Sequence, residues 1–148
     1  MSYDIYFAPC DPDVQRESGA LFGFKFQSAV GVQGIRKLLC KFWKIMLTTK
    51  GSDPLNLQYG SGAADLIGSN IGSVEDATDA LALAIDDASD QLHMMDQQNF
   101  PPDDERLQAA TLTRIDILDP DGFRAYVTIS NVAGSSITAA LPLVGALR

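Results

Sequence analysis

The stretch TRIDILDPDGFRAYVTIS, residues 113–130, carries the clearest fold signal in this chain. Apolar and polar residues alternate before and after the turn signal DPDG, residues 119–122. Alternation with a period of two is typical of half-buried strands. The inward phase consists of Thr113, Ile115, Ile117, Phe123, Ala125, Val127 and Ile129. The stretch therefore predicts an antiparallel hairpin with one face on the core and one face in solvent.

The turn also sets the register of this hairpin. A four-residue loop at 119–122 places Arg114 opposite Val127. Because that pairing brings a charged and an apolar side chain onto one face, we expect a β-bulge, with Gly122 as the bulged residue.

A third strand follows the glycine and serine turn at residues 134–136. Its apolar phase is Ile137, Ala139, Leu141 and Leu143. Pro142 has no N–H to donate to a neighbouring strand, so this strand belongs at a sheet edge or ends near the proline. We expect the β region as a whole to span residues 106–145.

Two amphipathic helices precede the β region. The first is predicted over residues 32–48, and the second begins after Ser73 as N-cap and ends before the sequence FPP at 100–102. The inward residues of the first helix are Ile35, Leu38, Leu39, Phe42 and Ile45 or Met46, and its basic stripe is Lys37, Lys41 and Lys44. The second helix has the apolar seam Val74, Leu81, Ile85, Ala88, Leu92 and Met95 and the outer positions Asp79, Asp86, Asp87, Asp90 and Asp96.

The N-terminal region has weaker signals. Short strands are predicted around Tyr3, Ile5 and Phe7 and around Phe22, Phe24 and Phe26. We expect residues 1–20 to pack loosely. Taken together, the patterns predict a single α+β domain over residues 1–148, with N-terminal strands, two main helices and a C-terminal three-stranded antiparallel β unit.

Charge is unevenly distributed along the sequence. The formal net charge is −8, which disfavours nucleic acid and an anionic membrane surface as partners. Residues 51–105 contain twelve acids and no lysine or arginine, whereas basic residues concentrate in the first helix. Either the basic helix lies beside the acidic one, or each face meets a different partner.

Residues that support catalysis are sparse. The one histidine, His93, has no cysteine or second histidine at metal-ligand spacing. The acidic runs at 86–87 and 103–105 lack the spaced ligands of a calcium loop, and the glycine-rich stretch 60–72 lacks the lysine of a phosphate loop. The sequence also lacks a nucleophile elbow. A glycosidase needs two carboxylates, one of them in an apolar setting, whereas the three glutamates, Glu17, Glu75 and Glu105, lie in polar, acidic or loop stretches. We therefore expect no enzyme activity, no cofactor and no metal site.

The sequence LTTKGSDPL, residues 47–55, is followed by YGSG at 59–62 and by Leu66-Ile67. In order and spacing these motifs resemble the signature of the sheath-initiator family of contractile phage-tail baseplates. In that family an apolar helix ends in L-T-x-K/P-G, passes an acid-proline stretch and reaches Y/F-G-S-x-L. A long helix and a C-terminal antiparallel β region follow, so the resemblance covers roughly residues 20–145. Leu55 stands where many members have arginine. Gly62 stands where the next helix usually begins with a small residue followed by leucine.

The resemblance implies a structural protein of the baseplate that offers β-strands to the first sheath ring, where the sheath then begins to polymerise. It implies the tail sheath protein, baseplate wedge proteins and tail tube or hub proteins as partners, and a location in the virion after assembly in the host cytoplasm. The loop 51–62 would contact wedge proteins, and polar sheet residues would set the register of the added strand. The candidate partner-binding residues are Asp53, Pro54, Leu55, Tyr59, Gly60, Arg114, Asp116, Arg124, Tyr126, Thr128, Ile137 and Thr138.

Other interpretations of the same residues stay open. The β region is also compatible with a plain meander packed on the helices, and the loop 51–62 with a simple helix connection. A different small tail adaptor, such as a neck or tail-completion protein, is the nearest alternative function. Some relatives are labelled lysozyme-like, and a hydrolase of that type would depend on Glu17 or Glu75.

Overall fold

The computed structural model describes residues 7–9, 22–24, 32–66, 73–118 and 122–143. Two short strands, β1 (Phe7–Pro9) and β2 (Phe22–Phe24), pair in antiparallel fashion. Strand β1 includes Phe7, and β2 includes Phe22 and Phe24, around which the short N-terminal strands are predicted. The remainder of the segment expected to pack loosely, residues 1–6 and 10–20, lies outside the described residues.

Two helices form where the apolar spacing predicts them. Helix α1 spans Ile35–Met46, and helix α2 spans Val74–Asn99, with a short 3₁₀ turn at Ala64–Leu66 between them. Helix α1 begins later than predicted because Gly34 has a φ angle of 62°, a conformation outside the helical region. The prediction for α2 is confirmed at its start, where the Ser73 hydroxyl accepts a hydrogen bond from the N–H of Asp76.

The C-terminal strands form one antiparallel sheet in the order β3-β4-β5. Strand β3 spans Leu107–Leu118, β4 spans Gly122–Asn131 and β5 spans Ser136–Leu143. Together with the two helices, this sheet confirms the predicted α+β architecture. Strand β5 is an edge strand of this sheet and carries Pro142 next to its last residue, as predicted.

The predicted bulge exists at a different position. Gly122 is an ordinary paired residue opposite Leu118, and the register shifts instead between Leu112 and Arg114, with a second shift between Leu107 and Ala109. The physical reason lies in the spacing of two apolar residues. Leu112 and Ile115 are three positions apart, so both can face the core only if one extra residue, Thr113, is inserted between them. As a result Thr113 is exposed, and its predicted inward position is wrong.

The core lies between the helices and the inner face of the sheet. Helix α1 contacts β4 and β5, and α2 contacts β3 and α1. The buried apolar residues form one cluster: Leu38, Leu39, Phe42, Trp43, Ile45, Met46, Ala63, Ala77, Leu81, Ala84, Ile85, Ala88, Leu92, Leu107, Ala125, Val127, Ile129, Ala139 and Leu141. This two-layer arrangement leaves the other face of the sheet free of the helices.

One acidic residue of α2 lies on the opposite side from its predicted position. Asp96 was expected among the outer residues, but it is buried, and its Oδ2 atom accepts a hydrogen bond from the N–H of Leu107 over 3.1 Å. The carboxylate thereby joins the end of α2 to the first residue of β3. Val74, predicted at the start of the seam, is only partly buried and lies outside the core cluster.

Candidate protein-binding surface

Six of the twelve candidate residues lie on the outer face of the sheet, which is turned away from the helices. The pairing of the strands sets Arg114 beside Tyr126, Asp116 beside Arg124, and Thr128 beside Thr138. These six side chains are exposed or half-buried. Alternation along the strands, with β3 counted from the bulge onward, brings them to one surface, as the sequence predicts.

At one end of this surface, Arg114 is held on two sides. Its Nε atom lies 2.9 Å from Asp116 Oδ1, and its Nη2 atom donates to Asp116 Oδ2 over 3.0 Å. Its guanidinium carbon lies 4.3 Å from the centre of the Tyr126 ring. An exposed pair of this kind adds little to stability, so its main effect is to fix the orientation of the guanidinium plane.

In the middle of the surface, three threonine hydroxyls form a row across all three strands. Thr113 Oγ1 lies 2.8 Å from Thr128 Oγ1, which lies 2.8 Å from Thr138 Oγ1. The row runs from the bulge in β3 to the edge strand β5. We call these three residues the threonine row.

The backbone of β5 has one side bonded to β4 and one side turned outward. The N–H of Asn131 donates to the carbonyl of Ser135 over 2.9 Å, so this pair is a hydrogen-bonded pair. Hydrogen-bonded and non-bonded pairs alternate along an antiparallel ladder. The bonded residues of β5 are therefore Ile137, Ala139 and Leu141, and the residues that turn their backbone groups away from β4 are Ser136, Thr138, Ala140 and Pro142.

This outward side of β5 is called the β5 edge below. Within residues 7–9, 22–24, 32–66, 73–118 and 122–143, no strand pairs with it. Pro142 suits the outward phase because it lacks the N–H that an inward position would have to donate. The eight pairs of β5 with β4 run without a register shift, so the β5 edge is regular along its length.

The opposite edge of the sheet, on β3, is irregular. The N–H of Val132 donates to the carbonyl of Arg106, which shows that the even-numbered residues of β4 bond to β3. The outward backbone groups of β3 consequently include those of Ala110 and Leu112. Two register shifts interrupt this strand, and bulges make an edge a poorer template for another strand.

Ile137 is not part of the outer surface. It is partly buried and packs against the core cluster, and its backbone belongs to the phase that bonds to β4. Ile137 therefore presents no side chain at the outer face for a partner to contact, whereas its neighbour Thr138 is exposed there.

The loop between the helices is held by contacts within the chain. Gly60 is buried, its N–H donates to Gln91 Oε1 over 3.0 Å, and its carbonyl accepts from Gln91 Nε2 over 2.7 Å. The buried Ser61 hydroxyl donates to the carbonyl of Met46, and Ser61 forms a bridge with Thr49. Gly60 was expected to bind a partner, but both of its backbone groups are already bonded to α2, so its role is structural.

The tip of this loop carries exposed apolar side chains. Leu55 is 96% exposed and Leu57 is 63% exposed, and Pro54 between the turns is exposed as well. Asp53 Oδ1 accepts from the N–H of Leu55 over 2.9 Å, which fixes the turn that presents this leucine. Leu57 is a residue that the sequence reasoning missed, although it lies two positions after Leu55.

Tyr59 lies at the base of the same loop, half-buried against the core. Burial raises the pKa of its phenol, and the nearby charge of Asp53 raises it further. Tyr59 therefore acts mainly as an apolar support for the loop, with its hydroxyl neutral at physiological pH.

The charged faces of the helices are paired only in part. Glu105 Oε2 lies 2.8 Å from Lys37 Nζ and 3.8 Å from Lys41 Nζ, so two members of the basic stripe meet an acid that follows α2. Lys50 Nζ lies 3.1 Å from Asp87 Oδ2, which ties the loop to α2 itself. The third member of the stripe, Lys44, is exposed.

Within the described ranges, no group of three or more histidine, cysteine, aspartate or glutamate side chains is arranged to hold a metal ion. His93 is exposed on α2, and Glu75 is exposed in its first turn, while Glu17 lies outside the described residues. Of the helices that the structure describes, none is both long and apolar enough to cross a membrane.

The sequence reasoning also missed Ser136 and Ala140, which belong to the β5 edge. A signal for them was available. A proline inside a strand turns its missing N–H away from the ladder, so residues two, four and six positions before Pro142 share the outward phase.

Comparison with protein-family models, with curated proteins and with solved structures finds no match for this chain. The binding capacity of this surface therefore follows from its geometry alone. That geometry combines a regular strand edge that no described strand covers, a polar face beside it and an apolar loop tip, all of which suit binding to other proteins.

Proposed function

We propose that this protein initiates sheath assembly on the baseplate of a contractile tail by adding a strand from the first sheath ring to the β5 edge. The observation that carries the proposal is the row of outward backbone groups on β5, which no described strand pairs. Strand addition uses such groups for affinity and the neighbouring side chains for specificity. The choice of a contractile tail as the assembly rests on the resemblance of the motifs at residues 47–62 to the sheath-initiator signature.

The helices support this role mechanically. An isolated hairpin is marginally stable, whereas β4 and β5 here contact α1, and their residues Val127, Ile129 and Leu141 belong to the buried core cluster. An edge held in this way is preorganised, so an incoming strand meets backbone groups that are already in line. A baseplate position in the virion and contact with the tail tube or hub belong to the same proposal.

The second part of the proposal concerns the loop tip, which we assign to a contact with a baseplate wedge protein. Leu55 and Leu57 are exposed on a loop whose path is fixed by Gly60, Ser61 and Gln91. A contact built on leucine buries apolar surface, so it should depend less on salt than an arginine contact at the same position.

The experiment is to block the β5 edge without changing the core. Removing residues 135–148 would take Ala139 and Leu141 out of the core, so a single substitution is sharper. Ala140→Pro removes one outward N–H and no bond to β4, and Pro142 shows that this phase of the strand accepts proline. The matched control is Ala110→Pro, which removes an outward N–H from the irregular edge of β3.

Particles assembled with each variant would be examined by electron microscopy. We expect Ala140→Pro to give tubes or baseplates without sheath, and Ala110→Pro to give sheathed tails. Circular dichroism of the purified variants checks that both are folded. Normally sheathed tails from a folded Ala140→Pro protein would contradict the proposal, and so would sheath loss confined to Ala110→Pro.

A further inference from the structure

The threonine row ends at the open edge of the sheet, and its last hydroxyl retains bonding capacity. Each hydroxyl can donate one hydrogen bond and accept two. The two contacts of 2.8 Å that join Thr113, Thr128 and Thr138 use two of the three hydroxyl hydrogens. If Thr138 donates to Thr128 it can still accept, and if it accepts from Thr128 it can still donate. In either direction of the row, Thr138 can bond to one more group beyond β5.

The backbone of Thr138 directs that extra group to a particular residue of an added strand. Thr138 belongs to the outward phase, so the residue opposite it on an antiparallel strand exchanges both backbone hydrogen bonds with it. The side chain of that residue stands on the outer face beside the Thr138 hydroxyl, with Cβ atoms about 5 Å apart. Thr138 is exposed, so this space is open.

The residues on either side of that position face the other way. They lie opposite Ile137 and Ala139, whose side chains belong to the inner face and pack with the core cluster. Ile137 is only partly buried, so part of it is left for a neighbour to cover. An added strand therefore meets a hydroxyl at one position and apolar side chains at the two flanking positions.

We infer that the β5 edge selects an extended segment that carries threonine or serine opposite Thr138 and apolar residues on both sides of it. This inference rests on the proposed function, strand addition at β5, and adds the side-chain pattern of the partner. Cross-strand threonine pairs are modest contributors, so the selection should amount to about three- to fivefold in affinity over valine at the same position.

The test uses the full chain labelled with nitrogen-15 and three capped heptapeptides. Each peptide has lysine at both ends, then glutamine, then valine on both sides of a central residue that is threonine, valine or alanine. Titrations followed by amide chemical shifts give the affinity and the place of binding. We expect shifts at Ser136, Thr138 and Ala140, and an affinity for the threonine peptide about three- to fivefold higher than for the valine peptide.

Three substitutions then test whether Thr138 causes the preference. Thr138→Val should bind the three peptides without preferring threonine, whereas Thr111→Val, an exposed residue of the same face on β3, should keep the preference. Thr138→Ser retains the hydroxyl and should keep it too, which separates loss of the hydroxyl from a disturbed fold.

The possible failures are distinct. A threonine preference that survives Thr138→Val, or equal affinities in the unsubstituted chain, overturns the inference and leaves strand addition standing. Shifts at Ala110 and Leu112 in place of β5, or no shifts with any peptide, overturn both the inference and the proposed function.

Discussion

The loop of residues 48–63 and the β5 edge use their backbone hydrogen-bonding groups in opposite ways. In the loop, both groups of Gly60 are bonded to Gln91, and the hydroxyl of Ser61 is bonded to the carbonyl of Met46. Along the β5 edge, the groups of Thr138 and Ala140 face away from β4 and have no partner strand in the described ranges. The loop holds the chain together, and the edge keeps its groups available.

The residues that carry the sequence motif therefore differ from the residues that can bind another strand. The sequence YGSG at 59–62 carries much of the resemblance, yet Gly60 and Ser61 in it are buried. Strand β5 carries no part of that motif, yet its outward backbone groups pair with no strand that the structure describes. Substitutions in the loop should therefore change stability first, and substitutions on the edge should change binding first.

The largest expected effect is that of Gly60→Ala. Gly60 has a φ angle of 107°, which L residues rarely adopt, and a Cβ there would lie 2.4 Å from the carbonyl oxygen of Thr48. Strain and a clash with backbone together should lower the free energy of unfolding by about 3 kcal/mol or more. Urea denaturation followed by the fluorescence of Trp43, which is buried in the core, measures the change.

The control for this substitution is two residues away. A Cβ on Gly62 would meet nothing within 4 Å, so Gly62→Ala should stay within about 0.5 kcal/mol of the unsubstituted protein. Similar stabilities for the two variants would show that the loop does not hold its path through Gly60.

The second-largest expected effect is that of Asp96→Ala, which removes the hydrogen bond between α2 and the first residue of β3. The substitution leaves the N–H of Leu107 buried without its acceptor, which should lower the free energy of unfolding by about 2 kcal/mol. Asp90→Ala, on an exposed position of the same helix, should change it by less than about 0.5 kcal/mol. Equal effects of the two substitutions would contradict the assignment of Asp96 as the joint between α2 and β3.

The sequence predicts the inner and outer faces of β4 and β5 because the period of two is uninterrupted there. It misplaces Thr113 because the bulge between Leu112 and Arg114 moves this side chain to the outer face, and the composition of the strand does not mark the bulge. It misplaces Asp96 because the partner of that carboxylate, the N–H of Leu107, is brought near only by the tertiary fold. Local patterns cannot register a contact of this kind.

The same limits apply to the candidate surface. Alternation brings Arg114, Tyr126 and Thr128 to one face, as predicted. Ile137 is a predicted partner-binding residue although its own phase is the inward one, and Gly60 is another although it is buried in the loop. In both cases residues close in sequence differ in burial. For Ile137 the phase of the strand sets the burial, and for Gly60 the path of the loop does.

The smallest expected effect concerns Tyr59 and is seen only in alkaline solution. Burial and the charge of Asp53 raise the pKa of the folded phenol above its ordinary value of 10.0. Above pH 10 the unfolded chain loses this proton while the folded chain keeps it, so stability falls as the pH rises toward the folded pKa. Below pH 10 both states are protonated, and this contribution to stability is present in full.

Tyr59→Phe removes this dependence and leaves the other tyrosines and the lysines unchanged. The difference in unfolding free energy between the two proteins, measured in urea from pH 8 upward, should be constant below pH 10 and should shift in favour of Tyr59→Phe above it. Asp53→Asn keeps the phenol and removes the charge, so it should show a weaker fall than the unsubstituted chain. A difference that stays flat across pH 10 would mean that Tyr59 titrates as in water, and the loop would then be open to solvent at its base.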